Sequence, residues 1–155
     1  MVLGLSSCAS MAAGGLQYQD TGQEWCAESA IYEDLAVGIP MNVKSGKPIT
    51  ITAVQSSRHG HIELVDAYAM PVDAEDRLGT APWPLEAKWS SDWKRASKAV
   101  GATVRHDQSV DLVLHARRTS SSGGTLEDIE IQYEQDGRTF DAATYTSVKI
   151  AAACD

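Results

Sequence analysis

The chain has 155 residues, a formal net charge of -8 and a sequence pI near 4.9. Its length is typical of one domain with a substantial buried core, and its hydrophobic content of 43% is ordinary for a folded protein. The acidic balance argues against a nucleic-acid-binding protein, which normally carries a basic surface. No apolar run approaches the roughly 20 residues that cross a bilayer as a helix. We therefore expect one folded domain without a nucleic-acid partner.

The chain begins with a short segment that ends at Cys8. The residues before this cysteine are Leu5, Ser6 and Ser7, an aliphatic residue followed by two small ones. The pattern resembles the lipobox of exported bacterial lipoproteins, and the resemblance implies that Cys8 carries a lipid anchor and becomes the mature N-terminus. The segment departs from a normal signal segment, which has a positively charged start and an apolar stretch of about 7–15 residues. We interpret residues 1–8 as a truncated signal segment with the lipobox at its end.

Residues 9–24 are small, polar and glycine-containing, and they show no sustained period of 2 or 3.6. This composition is typical of a flexible tether, which a lipoprotein needs between the bilayer and its folded domain. We therefore place a single folded domain at residues 25–155.

The chain contains three cysteines, and an odd count is unusual in a secreted protein. If Cys8 bears the lipid, as the resemblance implies, Cys26 and Cys154 remain as a pair at the two ends of the folded domain. We predict that they form a disulfide with Cα atoms about 4.4–6.8 Å apart, and that Cys154 lies on the inward face of the last strand. Such a bond needs an oxidising compartment, so it predicts an extracytoplasmic protein that is membrane-anchored or secreted.

The first half of the domain contains three predicted strands. Their apolar residues alternate with polar ones, as in a strand with one buried face. Pro40 cannot donate a ladder hydrogen bond, so it predicts an edge strand or a strand start. The apolar face shifts by one residue near Val65 and Asp66, which predicts a β-bulge. The predicted strands are residues 38–43, 49–54 and 61–70.

His59 and His61 flank a glycine just before the third of these strands. In extended backbone, residues i and i+2 project to the same side, so the two imidazoles are a candidate site for Cu²⁺ or Zn²⁺. Two ligands do not make a tight site. The plainer interpretation is an exposed polar turn, and we expect no resident cofactor. A third ligand would have to come from His106, His115, Asp66 or Met70.

A long irregular excursion between Met70 and Gly101 interrupts the strand pattern. Ser91 is a candidate N-cap for one short helix, residues 92–99. The excursion contains three tryptophans, and exposed aromatic rings on a β-sandwich stack on sugars in carbohydrate-binding modules. The alternative is structural, because large aromatic rings are usually mostly buried, and in that case they seal an open end of the sandwich. The candidate ligand-binding residues are Trp83, Trp89 and Trp93.

The second half of the domain has the clearest strand pattern. In residues 109–118 the polar positions alternate with apolar ones, and Val113 alone interrupts the polar face. That face is expected to be exposed, and its residues are Asp111, His115 and Arg117. The Asp-Gly pair at 136–137 predicts a tight hairpin. The predicted strands are residues 109–118, 126–135, 138–142 and 144–155.

About seven or eight short strands separated by turns predict an all-β fold. The spacing is typical of an antiparallel β-sandwich of immunoglobulin-like style, with the tryptophan-containing excursion and one short helix between its halves. A β-barrel is the alternative.

The sequence contains no strong catalytic motif: no serine lies in a Gly-x-Ser-x-Gly pattern, and zinc-type cysteine spacings are absent. The chain is therefore predicted to be a non-enzymatic, lipid-anchored binding protein of the bacterial cell surface, with a protein partner or an envelope glycan as its ligand. Two alternatives remain. One is a small secreted hydrolase with a dispersed active site, which a cleft joining His59 or His61 to a serine and an acid would favour. The other is an envelope metal-binding protein that uses this His pair.

Overall fold

The structure is a computed structural model that describes residues 14–18, 22–44, 46–73, 77–86, 88 and 90–154. In chain order, the strands are β1 (Leu16–Tyr18), β2 (Glu24–Glu28), β3 (Asp34–Val43), β4 (Ile49–Gly60), β5 (Ile62–Pro71), β6 (Thr80–Pro82), β7 (Ser97–Lys98), β8 (Thr103–Val104), β9 (Val110–Arg118), β10 (Gly124–Gln135), β11 (Arg138–Ala143) and β12 (Ser147–Ala151). A short 3₁₀ helix, Ser91–Arg95, lies between β6 and β7. Within the described ranges, no helix has the length and hydropathy needed to cross a membrane.

The strands form two six-stranded sheets that pack together as the predicted all-β sandwich. Sheet 1 has the order β1-β3-β9-β5-β7, and β6 also pairs with β3. Sheet 2 has the order β2-β12-β10-β4-β8, and β11 also pairs with β10. The pairs are antiparallel, as predicted, except that β2 and β12 run parallel.

The main core lies between the inner faces of the two sheets. Apolar side chains at alternate positions fill it, because successive residues of a strand point to opposite faces. Tyr133 is buried there, and its hydroxyl accepts a hydrogen bond from the Leu16 N–H at 3.3 Å. Burial raises the pKa of the Tyr133 phenol. Fully buried aliphatic members of this core include Leu112, Leu114, Ile129 and Ile131.

Two predicted irregularities are confirmed. The register between β5 and β9 shifts between Leu64 and Asp66, at the predicted bulge. β10 and β11 form a hairpin whose turn residues, Asp136 and Gly137, have φ angles of 55° and 72°. Positive φ at both central residues is what a type I′ turn requires.

Pro40 lies within an interior strand, which corrects the prediction of an edge strand or a strand start. β9 pairs with one side of β3, and on the other side β6 pairs with residues 35–37 and β1 with residues 41–43. Gly38 donates its N–H to the Gly79 carbonyl at 2.8 Å on that second side. Residues two apart in a strand direct their N–H groups to the same side, so the missing N–H of Pro40 falls in the gap between β6 and β1. The proline therefore removes no ladder hydrogen bond.

β9 is buried on both faces, which corrects the prediction that its polar face is exposed. Asp111 and His115 are 0% and 4% exposed, and Val113 is fully buried. A second apolar cluster covers them on the outside of sheet 1. Part of this cover comes from the irregular excursion, whose described residues between Val72 and Ala96 we call the outer segment.

The predicted short helix is a 3₁₀ helix, Ser91–Arg95, rather than a longer helix over residues 92–99. Its N-cap is Ser90, whose hydroxyl accepts a hydrogen bond from the Asp92 N–H at 3.2 Å. The chain becomes extended at Ala96, and the next two residues pair with β5 as β7. Strand pairing therefore replaces the second half of the predicted helix.

The predicted disulfide between Cys26 and Cys154 is present, with Cα atoms 5.8 Å apart. Cys26 lies on β2, opposite Lys149 of β12. β12 ends at Ala151, so Cys154 follows the strand and is half-buried instead of pointing into the core from it. The bond thus fastens β2, at one edge of sheet 2, to the segment that follows β12.

Candidate functional site

The outer segment places aromatic rings over the outside of sheet 1. The ring centroids of Trp83 and Trp93 are 5.6 Å apart. The ring centroid of Tyr68, on β5, lies 5.6 Å from that of Trp83 and 5.1 Å from that of Trp93. All three rings are half-buried against the second apolar cluster. The two tryptophans therefore cover a face of the sandwich rather than an open end. Trp89, the third predicted ligand-binding residue, lies outside the described residues.

Asp111 anchors the outer segment to sheet 1. Its buried carboxylate accepts hydrogen bonds from Arg77 Nη1 at 2.7 Å and from the Leu78 N–H at 2.9 Å. A buried charge needs such partners to offset its lost hydration. Gly38 permits the close approach, because a Cβ added there would lie 2.9 Å from the Leu78 Cβ. Since β6 and Trp83 follow directly in the chain, this anchor helps to position the Trp83 ring.

Trp83 stacks on His115 of β9 beside a charged cluster. The two ring centroids are 4.1 Å apart and the ring planes differ by 13°. His115 Nε2 lies 3.1 Å from Asp34 Oδ2. Asp34 also accepts hydrogen bonds from Arg117 Nε at 3.1 Å and from Arg117 Nη2 at 3.5 Å. The register explains this grouping, because Asp34 of β3 lies directly opposite Arg117 of β9.

Burial lowers the pKa of His115 below its ordinary value of 6.5. Loss of solvent disfavours the charged imidazolium, and the neighbouring Asp34 carboxylate, which favours it, offsets only part of this effect. The neutral imidazole therefore predominates at pH 7. Its contact with Trp83 is a stack of two uncharged rings.

We expect the domain to lose stability as the pH falls below about 6.5, and His115 to cause part of that loss. The unfolded state binds a proton on this histidine at a higher pH than the folded state, so added protons favour unfolding in this window. Urea unfolding at about pH 7.5 and about pH 5.5 measures the change. His115→Gln should lose less free energy of unfolding between the two conditions than the wild type. His106→Gln, at an exposed position, should keep the wild-type dependence, and an unchanged dependence in His115→Gln would contradict the assignment.

An open cleft of about 460 Å³ lies beside the Trp83–His115 pair. We call it the outer cleft. The side chains of Arg117 and Asp34 are 45% and 22% exposed there, and Ile31 at its rim is 67% exposed. The cleft thus presents aromatic rings, a carboxylate and a guanidinium to solvent. Its lining residues are Ile31, Tyr32, Glu33, Asp34, Pro82, Trp83 and Arg117.

A second charged group continues across the same face of sheet 1. Asp66 of β5 lies opposite His115 in the register. Lys98 of β7 donates to the Asp66 carboxylate and to the Tyr68 hydroxyl, the latter at 3.0 Å. Its ammonium group also lies 4.5 Å from the Tyr68 ring centroid. Polar groups therefore run across the outside of sheet 1 from the outer cleft to β7.

His59 and His61 line a different cavity of about 440 Å³ between β4 and β5. Both side chains are exposed. His61 has a φ of 60°, so the extended-backbone argument for their common direction does not apply. In the described part of the chain, no group of three or more His, Cys, Asp or Glu side chains is close enough to hold a metal ion. Two of the predicted third ligands, Met70 and His115, lie beneath the outer segment instead.

The cavity that contains the His pair is also lined by Ser56 and Glu63, the residue types named above for a hydrolase. Ser56 Oγ lies 2.5 Å from the Glu127 carbonyl oxygen and 3.0 Å from the Arg58 carbonyl oxygen. This hydroxyl thus donates to main-chain carbonyls and not to an imidazole. The residues share a cavity without forming the hydrogen-bonded chain that activates a serine nucleophile.

Six of the seven residues that line the outer cleft were not predicted as ligand-binding residues, among them Tyr32, Asp34 and Arg117. Val113 was the sequence feature that could have indicated this site, because an apolar residue on a polar strand face indicates that another part of the protein covers that face. No comparable pattern marks Tyr32 or Asp34. Cys8 lies outside the described residues, so its lipidation stays a prediction. No protein-family model matches the chain, and no curated protein matches it.

Proposed function

We propose that the protein is an extracytoplasmic binding protein, anchored to a bacterial membrane by a lipid on Cys8, which binds a glycan of the cell envelope in the outer cleft. One observation carries this proposal: Trp83 lies beside Arg117 and Asp34 in an open cleft.

A glycan suits the chemistry of this cleft. A sugar ring has an apolar C–H face, which aromatic side chains bind, and adjacent hydroxyls, which planar polar side chains bind through paired hydrogen bonds. Trp83 and Tyr32 supply aromatic surface, Asp34 supplies acceptors and Arg117 supplies donors. Asp34 engages Nε and Nη2 of Arg117 but not Nη1. The guanidinium is therefore oriented by the protein while Nη1 can donate to a ligand.

Export to an oxidising compartment is supported by the Cys26–Cys154 disulfide, because such bonds persist mainly outside the cytoplasm. The lipobox resemblance at Cys8 adds the membrane anchor. A receptor for envelope glycans would work in that location.

A secreted hydrolase is the second candidate function. The presence of Ser56, His59, His61 and Glu63 in one cavity favours it. The hydrogen bonds of Ser56 to main-chain carbonyls count against it. The two functions also use different sites, so variants of the outer cleft separate them.

We expect binding on an array of bacterial envelope glycans, and we expect Arg117→Ala to weaken binding of the tightest glycan about tenfold or more, since a hydrogen bond to a charged group is lost. Arg138→Ala, which removes an exposed charge on sheet 2, should leave the affinity within about twofold of the wild type. Tyr32→Ser should also weaken binding of this glycan, as Arg117→Ala does. Equal affinities of the wild type and Arg117→Ala would contradict the proposal. Release of new reducing ends that His59→Ala abolishes would favour the hydrolase instead.

A further inference from the structure

β4 has one side that is paired along only part of its length. β10 pairs with β4 from Thr50 to Gly60. On the opposite side, β8 pairs with Ile49 and Thr50, and the Ile51 N–H donates to the Ala102 carbonyl at 3.0 Å. Beyond that point, no strand among the described residues pairs with this side of β4. We call residues 53–59 the β4 edge.

β5 has a matching unpaired stretch in the other sheet. β7 pairs with β5 at Tyr68 and Ala69, and the Ala99 N–H donates to the Ala67 carbonyl at 2.9 Å. In the described part of the chain, residues 62–66 pair with β9 on one side and with no strand on the other. The short corner between β4 and β5 brings these two edges together. Among the described residues, one side of the sandwich therefore ends in two adjacent edges whose backbone groups have no strand partner.

An apolar groove runs between the two edges. The half-buried Val54 and Leu64 supply apolar surface in the cavity of about 440 Å³, and the buried Ile62 and Leu126 lie beneath it. A neighbouring depression of about 410 Å³ shares Val54 and Leu64 with it. Val100, at 59% exposure, lines that depression. The groove thus has room for side chains of an incoming segment directly beside the β4 edge.

From Ala53 to Ser57, before the charged Arg58, the β4 edge lacks the residue types that usually protect an exposed strand. Natural edge strands are short, or they carry lysine, proline or inward-pointing charges that block pairing with another chain. Residues 53–57 read Ala-Val-Gln-Ser-Ser and contain none of these. Seven residues of strand span about 23 Å, which is enough for one added strand. Backbone groups of an extended peptide would pair with the edge while alternate side chains enter the groove.

Charge around the groove selects the kind of peptide. Glu63 borders the groove, and Glu127 and Asp128 lie on β10 next to the β4 edge. Arg58 is the base beside them, at 3.2 Å from Glu127 and 3.4 Å from Asp128. Lys98 and Asp66, which line the neighbouring depression, pair with each other. Acids therefore outnumber bases around the groove, as they do in the whole chain at -8. This favours a basic peptide over a second copy of the same acidic protein.

We propose that the β4 edge and its groove bind an extended peptide segment of a partner protein by strand addition. The segment has apolar residues at alternate positions and Lys or Arg at its ends. This interaction is separate from the outer cleft and does not depend on a glycan ligand.

The test uses the synthetic peptide KKVTVTVKK as a probe and amide NMR spectra of the ¹⁵N-labelled protein. Titration should shift the amide signals of residues 53–59 and 62–65 in a saturable way. Only every second N–H group of an added strand faces the edge, so the probe is also made with N-methyl groups on its valines or on its threonines. One of these two peptides should bind at least about tenfold more weakly, because it lacks the N–H groups that pair with the edge. EEVTVTVEE should also bind more weakly, at least about threefold. No shifts at these amides with millimolar probe, or binding of both N-methylated peptides as tightly as the probe, would overturn the proposal.

Two variants with the same added charge separate strand addition from simple charge attraction. Val54→Glu places a carboxylate toward the groove, and we expect it to weaken probe binding about tenfold or more despite the added attraction for lysine. Ser57→Glu places the same charge at an exposed position of the same strand and should bind as tightly as the wild type or more tightly. Equal effects of the two substitutions in folded proteins would contradict strand addition. If Val54→Glu does not fold, the pair of N-methylated peptides decides the question on the wild type.

Discussion

Replacing both Cys26 and Cys154 with serine is expected to lower the Tm by roughly 10–15 °C. The bond closes a loop with a sequence separation of 128, and chain entropy alone predicts a stabilisation of about 4–5 kcal/mol for a loop of this size, as an upper figure. β2 pairs only with β12 among the described strands, so we expect it to detach first when the bond is lost. Circular dichroism melts with and without a reducing agent measure the effect.

Cys8→Ser, compared with the wild type on protein made without the lipid, is the matched control for this experiment, because it removes a cysteine sulfur without touching the disulfide. Its Tm should equal that of the wild type. A reduced wild type that melts at the same temperature as the oxidised protein would show that the bond contributes nothing to stability.

Asp111→Ala is expected to destabilise the domain by about 3–5 kcal/mol. The substitution leaves Arg77 and the buried Leu78 N–H without their shared acceptor, and an unpaired buried donor is costly. Urea unfolding gives the free energy of unfolding. Because Asp111 holds the outer segment on sheet 1, the variant should also bind glycans more weakly than the wild type at temperatures where both are folded.

Asp107→Ala makes the same chemical change at an exposed ion pair with Arg105. We expect Asp111→Ala to destabilise the domain because the lost carboxylate is buried, and not because an aspartate as such is lost. The control should therefore leave the free energy of unfolding close to the wild-type value. Equal stabilities of the two variants would mean that the Asp111 anchor does not hold the outer segment in place.

The residues on the inner faces of the two sheets were predictable because alternation of apolar and polar residues indicates a strand with one buried face. Ile129, Ile131 and Tyr133 follow that rule and are buried. The same rule fails where a sheet is covered on both sides. Asp111 and His115 alternate with apolar residues as exposed positions do, yet the outer segment buries them. A period of two cannot distinguish a polar residue in water from one satisfied by an arginine or an aspartate.

Local sequence also could not predict pairings between distant segments. The parallel pairing joins β2, near the first of the described residues, to β12, near the last of them. The sequence after Ser90 does form a helix, but the helix ends before Ala96, and the residues that follow pair with β5 instead. The outer cleft joins Tyr32 and Asp34 to Trp83 and Arg117, which are far apart in the sequence. Tertiary packing creates that site, so residue spacing gives no sign of it.

The proposed binding of an envelope glycan in the outer cleft is tested most directly by titrating ¹⁵N-labelled protein with the tightest glycan from the array. We expect saturable shifts of the Trp83 indole N–H and the Arg117 side-chain Nε–H, with small changes at the β4 edge. The opposite result, in which these two signals stay fixed while others shift or none do, would contradict it.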